Sequence, residues 1–152
     1  MDYKVVNQLT KEEAVELHKE LWNTMIEIAE SGIFPFKEDA LDRMGYSTKD
    51  VTGDCFLCVY GSQQLNKFMM HCNPDNTTRP FYRPDKPIQC DWCPLKWMSD
   101  TDDAVSCMIS KSPFEDYLML IQKYRDDEVD EQVLADVIKA CKVIRDLPVR
   151  EN

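Results

Sequence analysis

The sequence predicts a mainly α protein: a small helical bundle with an inserted four-cysteine module of zinc-ribbon or knuckle type. Three observations point there. Apolar residues recur at three- and four-residue steps near both ends of the chain, and each run is bounded by helix-capping residues. Two C-x-x-C pairs, Cys55/Cys58 and Cys90/Cys93, stand in the middle, separated by 31 residues. Charge is segregated: residues 1–54 carry 6 basic and 12 acidic side chains, residues 55–99 carry 5 and 3, and residues 100–152 carry 7 and 13. The 152 residues are read as a single domain, with a metal-binding module at 55–99 between helical flanks 1–54 and 100–152. A hydrophobic content of 43% with 10% aromatics is enough for one core.

Residues 10–31 read as an amphipathic helix. Thr10 is the N-cap, Glu13 sits at the capping-box spacing, and Leu9 precedes the cap as a hydrophobic staple. Ala14, Leu17, Leu21, Trp22, Met25 and Ala29 define the apolar stripe, and Gly32 is a left-handed terminator. Glu12, Glu13 and Glu16 lie near the positive end of the helix dipole. After Pro35-Phe36, residues 37–44 form two turns with Ala40, Leu41 and Met44 inward, stopped by Gly45. Residues 46–54 are turn-rich and deliver the chain to Cys55. The segment 73–89 holds Pro74, Pro80, Pro84 and Pro87, so neither a helix nor a central strand runs through it. It reads as a long loop pinned at both ends by metal ligands.

Ser112-Pro113-Phe114-Glu115 opens a second long helix, 113–125, with Ser as N-cap, Pro at the first helical position and Phe114, Tyr117, Leu118 and Ile121 inward. The acidic run 126–131 breaks it. In the last helix, 129–146, Val129, Val133, Val137, Cys141 and Ile144 share a face, and Pro148 ends it.

The seven cysteines are an odd number, and no cationic leader with an apolar run opens the chain, which argues for reduced thiols in a cytosolic protein. Two intervening residues let both thiolates of a pair reach one ion. Two pairs, Cys55, Cys58, Cys90 and Cys93, complete the tetrahedral sulfur shell of structural zinc, with Zn–S distances of about 2.3 Å. A redox pair of thioredoxin type needs a strand–helix setting that neither pair shows. Four thiolates leave no open coordination position, which argues against a hydrolytic ion. His71-Cys72 lies between the pairs, where either side chain is placed to replace a ligand; a loop histidine beside a small apolar thiol accounts for it as well. Cys107 is read either as a fifth candidate or as packing beneath the module, and Cys141 as core.

The formal net charge is −10, and no stretch approaches the roughly 18 apolar residues of a membrane span. That balance argues against non-specific binding to nucleic acid or an anionic membrane. The middle block, at +2, falls to about zero once four thiolates and Zn²⁺ are counted, so Lys67, Arg79, Arg83, Lys86 and Lys96 read as partial compensation for the metal. Phe81, Tyr82 and Trp92 interleaved with Arg79 and Arg83 keep open a stacking surface for single strands or an aromatic protein interface. Phosphate loops, dinucleotide turns, zinc-protease helices and nucleophile elbows are all missing. His18 and His71 read as surface or packing residues rather than general bases, and Asp102-Asp103 and Asp126-Asp127 as solvated faces.

The order of features resembles a family of small bacteriophage and prophage proteins: the LTKEEAVELHKELW opening, C-F-L-C, C-D-W-C-P-L-K-W, Cys107 ahead of S-P-F-E-D-Y, and the closing A-C-K-V-I-R-D-L-P-V-R. Nearly the whole chain is covered. Val59-Tyr60 stands where Glu-Tyr is usual, and the stretch between the pairs is longer. The resemblance implies a phage origin, a host cytoplasm and a metal-binding module with Cys55, Cys58, Cys90 and Cys93 at the matching positions; it implies no activity. The resulting expectation is a non-catalytic accessory protein that binds a host protein, such as a nucleic-acid-handling or defence enzyme with a basic groove, through its acidic surface. DNA mimicry is the sharp form of that expectation. The alternative is a zinc-ribbon-like nucleic-acid-binding or transcription-modulating module using Arg79, Phe81, Tyr82, Arg83 and Trp92. A hydrolytic or nuclease role would need an open metal site.

Overall fold

The computed structural model describes residues 2–51, 55–72, 93–97, 107, 112–126 and 129–150. It is mainly helical, with α1 Lys11–Glu30, α2 Lys37–Met44, α3 Phe56–Cys72, α4 Pro113–Asp126 and α5 Glu131–Arg145. Helix α1 is the hub: α2, α3 and α5 pack on it, and α4 packs on α5. None of the helices is long and apolar enough to cross a membrane.

Helix α1 begins where its cap predicts. Thr10 Oγ1 accepts from the Glu13 amide at 3.1 Å, and the Thr10 amide donates to Glu13 Oε1 at 3.0 Å. It ends in a Schellman turn: the Ile33 amide bonds the Ile28 carbonyl, the Gly32 amide bonds the Ala29 carbonyl, and Gly32 takes φ +92°. Gly45 closes α2 in the same way at φ +88°. The buried face of α1 is wider than the sequence stripe, because Val15, His18, Ile26 and Ile28 join Ala14, Leu21, Trp22, Met25 and Ala29. Leu17 packs against the core only partly buried. That width follows from the three helices α1 must contact.

The main departure from the sequence reading is α3. The residues after Cys58, assigned to a ribbon or knuckle module, continue instead as a 17-residue helix. Phe56, Leu57 and Val59 are buried, the Cys55 carbonyl accepts from the Cys58 and Val59 amides, and no proline interrupts before Pro74. The Gln63 side chain ties this helix to the N-terminal segment, accepting from the Leu9 amide at 2.9 Å and donating to the Asn7 carbonyl at 3.0 Å. The weak amphipathicity of 56–72 and its cysteines concealed the helix. The Pro-rich segment 73–89 lies outside the described residues.

At the other end, Asp130 caps α5 by accepting from the Val133 amide at 2.8 Å, and Val133, Val137, Cys141 and Ile144 are buried as their spacing predicts. Val129 lies before the helix, and the helix stops at Arg145 with Asp146 as its C-cap, so its bounds are tighter than 129–146. The chain then pairs with the second cysteine segment: Leu95 bridges Val149 antiparallel, the Lys96 amide donates to the Pro148 carbonyl at 2.9 Å, and the Arg150 amide donates to the Pro94 carbonyl at 2.6 Å.

His18 is not a surface residue. It is 1% exposed, its Nε2 lies 2.9 Å from the Ile144 carbonyl, and its Nδ1 is buried with no partner. The ring is therefore neutral, donating through Nε2. Burial lowers its pKa from 6.5 to about 4, opposed by the Ile144 contact and reinforced by Lys37 and Lys19. The folded state thus binds fewer protons than the unfolded chain between those values, and stability falls as pH falls from the unfolded pKa through the folded one. The expected loss is about 2–3 kcal/mol between about pH 7 and about pH 4.5. Urea unfolding of wild type and His18→Gln across this range measures it; the variant, which keeps a donor for Ile144, loses less, and parallel curves would refute the assignment.

Candidate metal centre

Cys55 immediately precedes α3 and Cys58 lies in its first turn, so the helix start places both thiols on one side. The Cys58 thiol hydrogen-bonds the Cys55 sulfur, and this bond holds Cys55 well below the ordinary thiol range against the opposing effect of burial. The Lys37 ammonium and the Cys58 and Leu57 amides act in the same direction. Cys58 moves oppositely, raised first by the same hydrogen bond, then by burial and by the charges of Cys55, Cys107 and Cys93. The hydrogen bond between the two sulfurs at this helix N-terminus thus moves their pKa values in opposite directions.

Cys93 reaches the same region from a second segment. Its sulfur accepts from Trp97 Nε1 at 3.3 Å, its carbonyl accepts from Arg150 Nη1 at 3.1 Å, and Leu95 and Trp97 beside it are 0% and 3% exposed. The terminal segment that pairs with 94–96 through one isolated bridge therefore fixes the backbone on which Cys93 sits. A third segment brings Cys107, whose carbonyl accepts from the hydroxyl of the fully buried Ser112, the residue whose oxygen also caps α4 by accepting from the Glu115 amide at 3.3 Å. Cys55, Cys58, Cys93, Cys107 and Cys141 form no disulfide. Cys141 stands apart inside α5, with burial pushing its pKa up to about 12.

Chemically, such a group can hold a thiophilic divalent ion or exchange disulfides; an N–H···S bond of the Trp97 kind is what supports a metal-bound thiolate. Among the described residues, no three His, Cys, Asp or Glu side chains are drawn together as tightly as one ion requires. Cys90 lies outside the described residues, as do Arg79, Phe81, Tyr82, Arg83 and Trp92. His71 and Cys72 end α3. At about 1.5 Å per residue their backbone is about 20 Å along the helix from Cys58, too far to share its ion. The helix also explains the spacing of the pairs, since 59–72 takes up nearly half of the 31 residues between them.

Sequence reasoning missed the supporting residues. Trp97 was legible as an aromatic four residues after Cys93, but Lys37, Ser112 and Arg150 join the site only through tertiary contacts.

Ser112→Ala removes a helix cap and leaves the Cys107 carbonyl without its donor. The expected cost is about 1–3 kcal/mol in urea unfolding, with faster alkylation of Cys107 by iodoacetamide in peptide mapping. Wild-type stability and an unchanged Cys107 rate would show that Ser112 does not anchor this segment. Comparison with known protein families, curated proteins and solved structures finds no match for the chain.

Proposed function

We propose that the chain is a non-catalytic phage accessory protein. It carries a structural zinc ion, held by thiolates of the Cys55/Cys58 and Cys90/Cys93 pairs, and an acidic helical surface that engages a basic host protein, a nucleic-acid-handling or defence enzyme. The observation that carries the reading is one face of α1. Glu12, Glu13, Glu16, Glu20, Glu27 and Glu30 are all exposed. At 3.6 residues per turn they fall within an arc of about 100° along a length of about 27 Å. Lys11 and Lys19 lie off that arc and are partly buried. Arg145 reaches Asn23 on it, but its charge is matched by Asp146 at 2.9 Å. Six carboxylates over this length give about one charge per 5 Å, against one per about 3.4 Å along a single strand of duplex DNA. A groove built for phosphates would accept such a stripe.

The zinc supports this surface rather than doing chemistry. Four thiolates leave no coordination site for a substrate, and the one histidine with a described side chain has its Nε2 committed to Ile144. An ion bound at the heads of α3 and the second cysteine segment would tie that segment to the bundle, and metal loss would loosen it.

Protein purified without added metal is expected to carry about one equivalent of zinc by elemental analysis; less than about half an equivalent removes the metal from the reading. For the surface, immobilised protein is exposed to nuclease-treated host extract at about 0.05 M and about 0.5 M salt. Capture is expected at low salt, with displacement by duplex DNA and loss at high salt. The triple variant Glu16→Lys/Glu20→Lys/Glu27→Lys is expected to capture nothing. Capture indifferent to salt, to DNA and to charge reversal would sink the acidic-surface reading.

A further inference from the structure

We propose that the groove between α4 and α5 is a self-association surface, filled by a second copy of this chain across a twofold axis that passes between Met119 and Leu120. The inference goes beyond the reading above, since it uses neither the thiols nor the glutamate stripe of α1.

The groove has a volume of about 520 Å³ and runs where α4 packs on α5. On α4 its walls are Asp116, Met119, Leu120 and Lys123, a spacing that puts all four on one face of the helix. On α5 they are Asp136, Lys139, Ala140 and Val143, at the same spacing. The middle is apolar and open to solvent: Met119 is 66% exposed and Val143 47%, while the other large apolar side chains described on these two helices are buried or half-buried. Apolar side chains left exposed together in a concavity mark an interaction site, and methionine adapts its shape to what it meets there.

Charge selects the occupant. The chain carries −10 overall, yet the groove is balanced, with Asp116 and Asp136 against Lys123 and Lys139. A strongly basic or strongly acidic partner meets as much repulsion as attraction there, whereas a surface bearing the same signs in reverse order meets attraction alone. The chain's own α4, turned end for end, is such a surface. Asp116 and Lys123 stand equally far from the midpoint between Met119 and Leu120, about 5 Å to either side along the helix. A twofold axis through that midpoint places Asp116 of each copy opposite Lys123 of the other and lays the apolar centres together, so each attraction is made twice. Among the described residues, the Asp116, Lys123 and Lys139 side chains make no ion pair within the chain, which leaves their charges to a neighbour.

The test is sedimentation equilibrium of the full chain over about 5–500 µM, the range suited to a small reversible interface. Salt is held at about 0.15 M, so that repulsion between two acidic copies is screened beyond about 8 Å. The mass is expected to rise with concentration from 17.8 kDa towards twice that value. Met119→Glu sets like charges against each other at the axis and is expected to stay at the monomer mass throughout. Asp116→Lys and Lys123→Asp each turn two attractions into repulsions and are expected to weaken association about tenfold or more. The double variant Asp116→Lys/Lys123→Asp restores opposite charges across the axis and is expected to return to within about threefold of the wild-type dissociation constant. Such recovery cannot come from a steadier helix, because both changes oppose the α4 dipole. Circular dichroism reports that each variant is folded. Wild type at 17.8 kDa across the whole range overturns the proposal and leaves the groove to a helix of another protein. Undiminished association of Met119→Glu, or a double variant no better than either single one, overturns it as well.

Discussion

Trp22 is 2% exposed in the middle of α1, and the edges of two α4 rings meet it there, Tyr117 at 5.3 Å and Phe114 at 6.4 Å, each tilted by 87°. A buried tryptophan removes about 150–250 Å² from water, and at about 25 cal/mol per Å² that is about 4–6 kcal/mol before any entropy is charged. Set against a total stability of about 5–15 kcal/mol for a typical domain, this contact is one the bundle cannot lose. It also organises what surrounds it. The Tyr117 hydroxyl donates to the Pro35 carbonyl at 2.8 Å, which fixes the link between α1 and α2, and Phe34 stacks on Tyr124 at 4.8 Å. Lys37 then lies over both Phe114 and Trp22.

The thiol cluster depends on the same knot. Phe114 is at once a partner of Trp22 and of Trp97, so the packing that joins α1 to α4 also places the indole that donates to Cys93. The start of α3 is held beside it through Phe56, which is fully buried and meets Tyr46 edge-on at 5.0 Å. A cluster so placed has helix N-termini and an ammonium around it, and these favour thiolate over thiol. Lys37 serves two purposes in this setting: its charge acts on Cys55 while its position over the aromatic rings contributes to packing.

The exposed acid has a different origin. Helix α1 must bury a face of about 160° against three neighbours, and the glutamates take the arc left over. Their alignment over the whole length follows from helical periodicity. The absence of a cation on that arc does not, because alternating lysines at four-residue steps would stabilise the helix by about 0.2–0.5 kcal/mol per pair. Forgoing them is a feature of this sequence that the fold does not require, and it is what a surface for a basic partner would show.

Much was legible before any coordinates, because the information was local. The capping box at Thr10 and Glu13, the glycines that end α1 and α2, Ser112 before Pro113, and the stripe Val133, Val137, Cys141 and Ile144 all express contacts within a few residues of one another, where backbone hydrogen bonding and the 3.6-residue period decide the outcome. The C-x-x-C spacing likewise put Cys55 and Cys58 within reach of each other, though as a knuckle rather than at the head of a helix. Helix α3 was hidden because its burial comes from α1, and a weakly patterned segment becomes helical when tertiary packing rewards it. His18 could be read only as a surface or packing residue, and burial decides for packing, because its partner lies at the end of α5, more than a hundred residues away. By itself the sequence determined the helices near both ends, their caps and the thiol chemistry available. Only the tertiary structure decided that Lys37 acts on Cys55, that Trp97 donates to Cys93 and that Ser112 anchors Cys107, because convergence of distant segments is set by how apolar faces are buried together.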